Sequence, residues 1–338
     1  RRVVVYLDDL RIEGETAGRE DFTKHAERQW EPVRQRVRNK IAAWAEIAAK
    51  AEAELNSLGE LSGEAEKLRA VLMQKLKEHD VSRMPAIQEA EKNGWMALGA
   101  YEKLEPFYEN LREHYLPNLR DLSRPELAEW LSSRKYAIYD LGATMRPAER
   151  VLPDTVLLPG RLSDAITIRA CPGEYEPASF VVKAFAALES MRVEAGDLTG
   201  PEGTIGAAAV DVKVVKCWYQ EEPGTGRVLL PELLLNDEDL VRNDHAGKIS
   251  LVKFNLPAGP KHICADDPEW PKPVDRKKQS PVWVANDSDA LLPVEILGGE
   301  NKQFWVTVKV PDSATPGDYT GKLRLSSAGE ALGEVGLR

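Results

Sequence analysis

The sequence predicts an α+β chain with more than one domain, in which an antiparallel helical hairpin or three-helix bundle precedes an immunoglobulin-like all-β sandwich. Proline and glycine divide the chain: residues 1–136 hold five of the 22 prolines and six of the 24 glycines, and residues 137–338 hold the rest. Apolar residues recur every three or four positions in the first part and every second position in the second. These are the periods of a helix and of a strand. The predicted divisions are a terminal strand at 1–15, a helical segment at 20–135 and a β-sandwich at 137–338.

The β-branched residues that open the chain predict one strand from Val3 to Ile12, which ends at Glu13-Gly14-Glu15. The chain has no starting Met and begins directly before this strand, so we expect it to be a piece of a longer protein. The alternative for this segment is a lone strand that pairs with the β half.

Apolar residues at helical spacing predict three helices, from Phe22 to about Leu58, around Ala65 to Leu76, and from about Ser82 to Tyr115. Because aromatic residues at helical spacing usually pack into a core, we assign those of this segment to the core rather than to a ligand groove. They are Trp30, Trp44, Trp95, Tyr101 and Tyr108.

From Lys135 onward, roughly eight short runs bounded by Pro, Gly or Asp predict the strands of a two-sheet sandwich. Val210 to Val214 alternates as a half-exposed strand should. Pro257 to Ser280 is rich in Pro, Asp and Lys, and we expect an excursion loop there.

A hairpin near the chain's end carries the clearest β signal. Phe304, Val306 and Val308 fall on one face of a strand that ends at Pro311. Pro316-Gly317 predicts a turn. We expect the hydroxyl of Tyr319 to tie this turn to nearby backbone, as in immunoglobulin-like sandwiches, and the alternative is an ordinary hairpin with a half-buried Tyr.

Composition excludes two classes of function. A net charge of −10 argues against a nucleic-acid partner, and no apolar run approaches the roughly 20 residues that span a bilayer. The three cysteines, Cys171, Cys217 and Cys264, fit no zinc-site spacing. We expect either buried thiols or one disulfide with one free thiol, so the cysteines do not identify a compartment.

Several segments of the β half resemble one known group in order. GEYEPASFVVKA (Gly173 to Ala184) resembles a turn and strand that open a β-sandwich, and Val212 to Gln220 resembles a Val-x-Val-Val-Lys-x-Trp-Tyr-Gln strand. Further similar segments are Gly196 to Leu198, Glu232 to Glu238, Asp289 to Val294 and QFWVTVKVPDSATPGDYTG (303–321). They are similar to the sandwich that precedes the (β/α)8 barrel in large bacterial glycoside hydrolase-like proteins. This group includes domains of unknown function and resembles the family 123 β-N-acetylgalactosaminidases. Residues 3–13 also resemble the last strand of a carbohydrate-binding jelly roll.

The resemblance implies that this chain is accessory to an enzyme. In that group the catalytic carboxylates lie in the barrel, which follows the sandwich, so no catalytic residue is assigned here. The implied partner is a (β/α)8 barrel of the same polypeptide, and the implied location is extracellular, cell-surface or periplasmic. Residues 20–135 have no counterpart in the usual sandwich and resemble a lineage-specific insertion.

The residues themselves also predict no active site. Glycoside hydrolysis needs two carboxylates about 5–10 Å apart. The adjacent pairs Asp8-Asp9, Glu221-Glu222 and Asp266-Asp267 are poor candidates, because neighbours on a strand point to opposite faces. No Ser–His nucleophile motif, phosphate-binding loop or paired His motif occurs in the sequence.

Aromatic residues of the β half are the candidates for glycan contact, because an indole face stacks on the C–H face of a pyranose. They are Trp270, Trp283, Trp218 and Tyr219, of which Trp270 lies in a proline-rich loop. The alternative is that these rings pack on the sandwich or on a barrel.

Two oxygen-rich loops are candidates for structural calcium, although neither has the spacing of an EF-hand. Their carboxylates are Asp237 and Asp239 in one loop, and Asp287 and Asp289 in the other. The alternative is that these side chains close the loops by hydrogen-bonding to the backbone. No other cofactor is expected.

The sequence therefore predicts a non-catalytic accessory region that braces a barrel and contacts glycan. The rival hypothesis is a structural protein whose helical hairpin mediates self-association or binds a partner.

Overall fold

The computed structural model describes the whole chain except residues 1, 8–9, 16–18, 62, 82, 85–86, 88–97, 143–149, 157–158, 223–225, 257 and 265–284. The chain forms two compact units, Arg1–Pro125 and Glu126–Arg338. Helices dominate the first unit and antiparallel sheets the second, so the α+β prediction is confirmed at this level. Within the described residues, no helix is both long enough and apolar enough to cross a membrane.

The chain begins with two strands, where the sequence analysis expected one. β1 (Arg2–Leu7) pairs antiparallel with β2 (Leu10–Glu15), and Leu7 lies opposite Leu10. The single-strand prediction is therefore wrong. The Asp8-Asp9 dipeptide, which lies outside the described residues, was a turn signal, because Asp is depleted in strands and enriched in turns.

The first unit continues with helices. The third of them runs directly into a π-helical turn, Leu111–Tyr115, and the next helix follows without a break. The helices are α1 (Arg19–Ser57), α2 (Gly63–Glu78), α3 (Leu98–Asn110) and α4 (Leu116–Leu122).

The core of the first unit lies where α1 packs against α2 and α3. Trp44 of α1 is 2% exposed, its ring stacks on Tyr108 of α3 at 5.8 Å, and its Nε1 donates to Glu105 at 3.2 Å. On α2 the predicted apolar face (Ala65, Leu68, Leu72, Leu76) is buried. Core assignment is thus confirmed for Trp44 and Tyr108 but is wrong for Trp30, which is 49% exposed. Trp95 and the side chain of Tyr101 lie outside what the structure describes.

The second unit begins with the end of the helix α5 (Pro125–Ser132) and continues almost entirely in strands. In chain order the strands are β3 (Tyr136–Asp140), β4 (Ala165–Ile166), β5 (Tyr175–Ala184), β6 (Leu188–Ala195), β7 (Leu198–Gly200), β8 (Gly203–Ile205), β9 (Val210–Glu222), β10 (Gly226–Leu235), β11 (Val241–Asp244), β12 (Ile249–Leu256), β13 (Gly259–Cys264), β14 (Val294–Ile296), β15 (Asn301–Lys309), β16 (Gly321–Ser327) and β17 (Glu330–Leu337).

These strands form two five-stranded sheets and two smaller ones. One large sheet has the order β10-β9-β15-β5-β3, and the other has the order β14-β6-β16-β17-β4. Strands β11, β12 and β13 make a three-stranded sheet, and β7 pairs with β8. Among the strands that the structure describes, all pairings are antiparallel except that of β4 with β17.

One hydrophobic core joins the two large sheets. Phe180 of β5 and Phe304 of β15 are both 0% exposed, and their rings stack at 5.3 Å. Leu323 and Val335 of the second sheet belong to the same core. Burial of residues at every second position explains the predicted alternation, since inward side chains share one face of a strand.

The turn after β15 has the predicted tie. The hydroxyl of Tyr319 donates to the carbonyl of Thr315 at 3.0 Å, and the half-buried ring packs on the core. The ring also lies directly against Gly200, where an added Cβ would come within 2.4 Å of it. The turn, the tyrosine and this glycine therefore fit as one unit.

Two strand predictions need correction. The predicted loop Pro257 to Ser280 contains strand β13, which pairs with β12 through Ile263 and Val252, and the rest of that loop lies outside the described residues. The predicted strand Ala165 to Ala170 shrinks to the two residues of β4. Short strands at a sheet edge gain few ladder bonds, so sequence alone does not fix their length.

Strand β10 forms one edge of its sheet. It contains Pro231, whose backbone nitrogen faces that outer edge, as the following bonds show. The backbone N–H of Tyr219 and the C=O of Cys217 bond to the side chains of Ser250 and Asn243, away from β10. In an antiparallel pair, the residue opposite such a position also points its backbone groups outward. Pro231 lies opposite Cys217, so its missing N–H falls on the outer edge, where it disturbs no ladder bond.

Candidate functional site

The candidate site lies on the outer half of β9. This strand pairs with β15 only from Val210 to Val214, but with β10 as far as Glu222. The core-facing positions continue beyond the core as Lys216, Trp218 and Gln220, since every second side chain shares a face. We call these three residues the Trp218 row. It is an extension of the inner face of the sheet past the hydrophobic core.

A carboxylate on the neighbouring strand holds the row in place. Trp218 Nε1 donates to Oε2 of Glu232 at 3.2 Å, and Gln220 Nε2 donates to the same oxygen at 2.8 Å. A register shift between Pro231 and Leu233 places Glu232 beside both residues. Trp218 is half-buried and packs on the edge of the core, so its ring orientation is fixed from two directions.

Lys216 of the row shares one glutamate with a second lysine, Lys302. Glu238 Oε1 accepts from Lys216 at 3.3 Å and also from Lys302. The side chains of all three are between 14% and 19% exposed. Partial burial strengthens such pairing, and the two ammonium groups are engaged within the protein.

Tyr219 lies on the opposite face from Trp218. Its hydroxyl is 2.9 Å from Nδ1 of His245, and the two rings meet edge to face at 5.8 Å. Its backbone N–H donates to Ser250 Oγ at 2.8 Å, and Asn243 Nδ2 donates to the carbonyl of Cys217 at 2.8 Å. These bonds attach the three-stranded sheet to the free edge of β9. Trp218 and Tyr219, both predicted for glycan contact, therefore do not share one surface.

The other two predicted aromatic residues, Trp270 and Trp283, lie outside the described residues. Their part in glycan contact stays a prediction.

The first calcium candidate loop is held by a lysine. The ammonium of Lys253 bonds to Asp237 and lies 3.3 Å from Asp239 Oδ2, while Arg242 Nε donates to Asp239 Oδ1 at 2.5 Å. Burial alone would raise the pKa of Asp239, but hydrogen bonds from Arg242 and Lys253 outweigh it and hold that pKa below its usual value. Burial alone would lower the pKa of Lys253, but the same carboxylates raise it. A cationic group of the chain itself therefore lies between these carboxylates.

The second calcium candidate loop is held by backbone bonds. Asp287 Oδ2 accepts from the N–H of Asn236 at 2.8 Å, and its Oδ1 accepts from Asp237 at 2.7 Å and from Ser288 at 2.9 Å. Asp289 is exposed. The structure thus brings Asp237, Asp239 and Asp287 into one region with Asp287 as a backbone clamp. Among the residues that it describes, no group of three or more His, Cys, Asp or Glu is arranged to hold a metal ion. Structural calcium stays a prediction.

All three cysteines are free thiols, so the disulfide alternative is wrong for this structure. Cys171 is exposed, against the expectation of burial. Burial raises the pKa of Cys217 from 9.0 to about 11, a shift that Lys302 and Lys216 oppose. This thiol is protonated at neutral pH and is a poor nucleophile.

One concavity of the second unit is remote from the Trp218 row. It has a volume of about 680 Å³ and is lined by Val308, Val310, Leu337 and Tyr319 among others. Val308 pairs with Val210, at the opposite end of β9 from Trp218. None of the predicted site residues lines it.

The structure does not make a catalytic pair of the adjacent acidic residues that it describes. Glu221 and Glu222 are exposed neighbours on β9 and so point to opposite faces, while Asp8-Asp9 and Asp266-Asp267 lie outside the described residues.

The sequence analysis did not identify Gln220 and Glu232 as site residues. Gln220 was detectable, since it is two residues from Trp218 on a predicted strand and so shares its face. Glu232 was not, because its place depends on the β10 register.

The chain has a distant likeness to a solved structure. No protein-family model matches the chain, and no curated protein sequence matches it. A solved structure of a family 123 glycoside hydrolase from Clostridium perfringens, studied for glycolipid glycan hydrolysis, is similar with a TM-score of 0.34 and 9% identity. The match covers 60% of this chain and 26% of that one, so this chain spans about a quarter of its length. A likeness of this size carries no functional argument.

Proposed function

We propose that this chain is a non-catalytic accessory region of a glycoside hydrolase-like protein and that it contacts glycan through the Trp218 row. The observation that carries the proposal is the shared carboxylate: Glu232 Oε2 accepts from both Trp218 and Gln220. An indole held at a fixed angle beside amide and carboxylate groups is suited to a sugar, because the ring stacks on C–H groups while the polar atoms bind hydroxyls.

The sequence resemblance supports the same assignment. The segments Gly173 to Ala184, Val212 to Gln220 and 303–321 supply the neighbouring strands β5, β9 and β15 of one sheet. The residues that resemble the family therefore belong to one structural unit, and the row is part of the second segment.

The finer expectations belong to this proposal. The second unit is an immunoglobulin-like sandwich that braces a (β/α)8 barrel of the same polypeptide, and the barrel supplies the catalytic carboxylates. The protein acts outside the cell, at the cell surface or in the periplasm. Each of these statements rests on the resemblance.

Glycan titration of the full chain tests the proposal. We expect oligosaccharides to bind by isothermal titration calorimetry, and we expect Trp218→Ala to weaken binding about tenfold or more, which corresponds to about 1.4 kcal/mol. The matched control is Trp130→Ala, because Trp130 is 37% exposed and is covered by the guanidinium of Arg134 at 4.0 Å. Equal binding by wild type and Trp218→Ala would refute the assignment of this row.

The second candidate function is self-association through the helical unit. It is favoured by Trp30 of α1 and Val71 of α2, large apolar side chains that are 49% and 40% exposed. Light scattering after size exclusion tests it with the full chain. Self-association predicts a dimer or larger species that Trp30→Glu converts to a monomer, and a wild-type monomer at high concentration contradicts it.

A further inference from the structure

We infer that the concavity beside Val308 binds a small amphiphilic monoanion, an apolar chain with one carboxylate, and that Arg169 holds the carboxylate at the rim. This site is remote from the Trp218 row, and the inference does not depend on glycan contact. It follows from how the hydrophobic core ends at this concavity and from the charges that surround its opening.

The base of the concavity is an open end of the hydrophobic core. The side chains at this base are each at most 4% exposed and belong to the core, and they are Leu198, Ile205, Val308 and Leu337. The volume of about 680 Å³ lies within the range of about 300–1,000 Å³ that is usual for small-molecule sites. An apolar chain that enters the concavity exchanges water for core side chains, and this transfer drives binding.

The walls of the concavity are held by hydrogen bonds of the chain itself. Residues 169–172 form one wall, and the N–H groups of Ile168 and Gly173 on either side of it donate to backbone carbonyls just past the ends of β17 and β15, at 2.8 Å and 3.0 Å. The turn before Tyr319 forms another wall, which the bond from the Tyr319 hydroxyl to Thr315 holds. A site that exists before the ligand arrives costs little ordering free energy on binding.

The rim of the concavity carries more positive than negative charge. Among the described residues that line it, the charged ones are Arg169, Arg338 and Asp318. Asp318 accepts a hydrogen bond from Arg338 at 2.8 Å, whereas Arg169 makes no hydrogen bond or ion pair with the rest of the described chain. This local excess occurs in a chain whose net charge is −10. A guanidinium presents paired N–H groups that match the geometry of a carboxylate, so a monoanion complements this rim.

The base and the rim together define the ligand class. The apolar chain fills the base while one carboxylate meets Arg169 at the opening. Because the carboxylate stays next to water, the ion pair contributes less to affinity than to the choice between ligands. A neutral alcohol of the same chain length makes only the apolar contacts.

Octanoate and octanol are the probes that test the inference. Each is titrated into the full chain, whose isotope-labelled methyl groups are followed by nuclear magnetic resonance. We expect octanoate to bind with a dissociation constant in the millimolar range or tighter, as its roughly ten non-hydrogen atoms allow, and to shift the methyl resonances of Ile205, Val308 and Leu337. Arg169→Gln should weaken octanoate binding about threefold and leave octanol binding unchanged.

Arg192→Gln is the matched control. Arg192 is exposed on β6 and does not line the concavity, so its substitution makes the same change in net charge at a distance from the site and should leave octanoate binding unchanged. The inference is overturned if octanoate shifts none of the three lining methyl groups, if Arg169→Gln binds octanoate as tightly as wild type, or if Arg192→Gln weakens octanoate binding as much as Arg169→Gln does.

Discussion

Replacing Tyr319 by phenylalanine removes one hydrogen bond and leaves a packed ring in place. The hydroxyl donates to the carbonyl of Thr315 at 3.0 Å, across the turn that joins β15 to β16. A hydrogen bond of this kind contributes about 0.5–1.5 kcal/mol to the free energy of unfolding. Thr315 is only half-buried, so water partly replaces the lost donor and the expected loss is about 1 kcal/mol.

Calorimetric unfolding of the full chain measures this loss. For a unit of 150–250 residues, about 1 kcal/mol lowers the midpoint by about 2–4 °C. The control is Tyr175→Phe, because Tyr175 is 62% exposed and should change the midpoint by well under 1 °C. Gly200→Ala tests the ring contact, since the added Cβ would lie 2.4 Å from the Tyr319 ring, and overpacking of this kind costs about 1–3 kcal/mol. The reasoning is refuted if Tyr319→Phe unfolds at the same temperature as the wild type while Gly200→Ala is also tolerated.

Three further predictions concern charge, thiol reactivity and the sheet edge. Lys253→Met should cost about 1–3 kcal/mol at pH 7, because it leaves two carboxylates without their cation. Since the pKa of Asp239 is lowered, its contribution is present at neutral pH and is lost as the pH falls below about 4, so urea denaturation at pH 3 should show a smaller difference between variant and wild type. Iodoacetamide at pH 8 should modify exposed Cys171 well before Cys217, whose pKa is raised to about 11, and mass spectrometry of the labelled peptides would contradict this if Cys217 reacted first. Pro231→Val restores a backbone N–H on the outer edge of β10 at a buried position, where that N–H has no ladder partner, so urea denaturation should show a loss of about 1–3 kcal/mol relative to wild type, and unchanged stability would show that the new N–H finds a partner.

The periodic parts of the fold were predictable from sequence because burial itself is periodic. The face of α2 that carries Leu68 and Leu72 is buried as expected, and Phe304 and Val306 face the core as their alternation indicates. Tyr319 was predictable for a different reason, since a turn after Pro316-Gly317 leaves the following tyrosine hydroxyl close to the backbone it crosses.

The contacts of the candidate site were not predictable in the same way. Glu232 reaches Trp218 only because β10 pairs with β9 in one register and shifts by a residue after Pro231. A slip of one residue would send this carboxylate to the other face. Register is a property of two strands and their turn, so the sequence of either strand alone does not contain it.

The separation of Trp218 from Tyr219 was, in contrast, predictable from the sequence, because side chains alternate between the two faces of a strand. Adjacent residues on a strand point to opposite faces, so an aromatic pair in a strand divides between two surfaces. One ring borders the row with Glu232, and the other fastens a small sheet through His245.

Strand β9 also explains how one element supports both stability and a candidate site. It has 13 residues, of which Val210 to Val214 pair with β15 and supply the core, where Val214 is 0% exposed. Beyond that point the inward face carries Lys216, Trp218 and Gln220 instead of apolar residues. The rigid half fixes the direction of the outer half, and the bonds from Asn243 and Ser250 hold its free edge. Substitutions at Val212 or Val214 should therefore lower stability, whereas Gln220→Ala should change binding at nearly constant stability, because Gln220 lies on the same strand beyond the core that holds it.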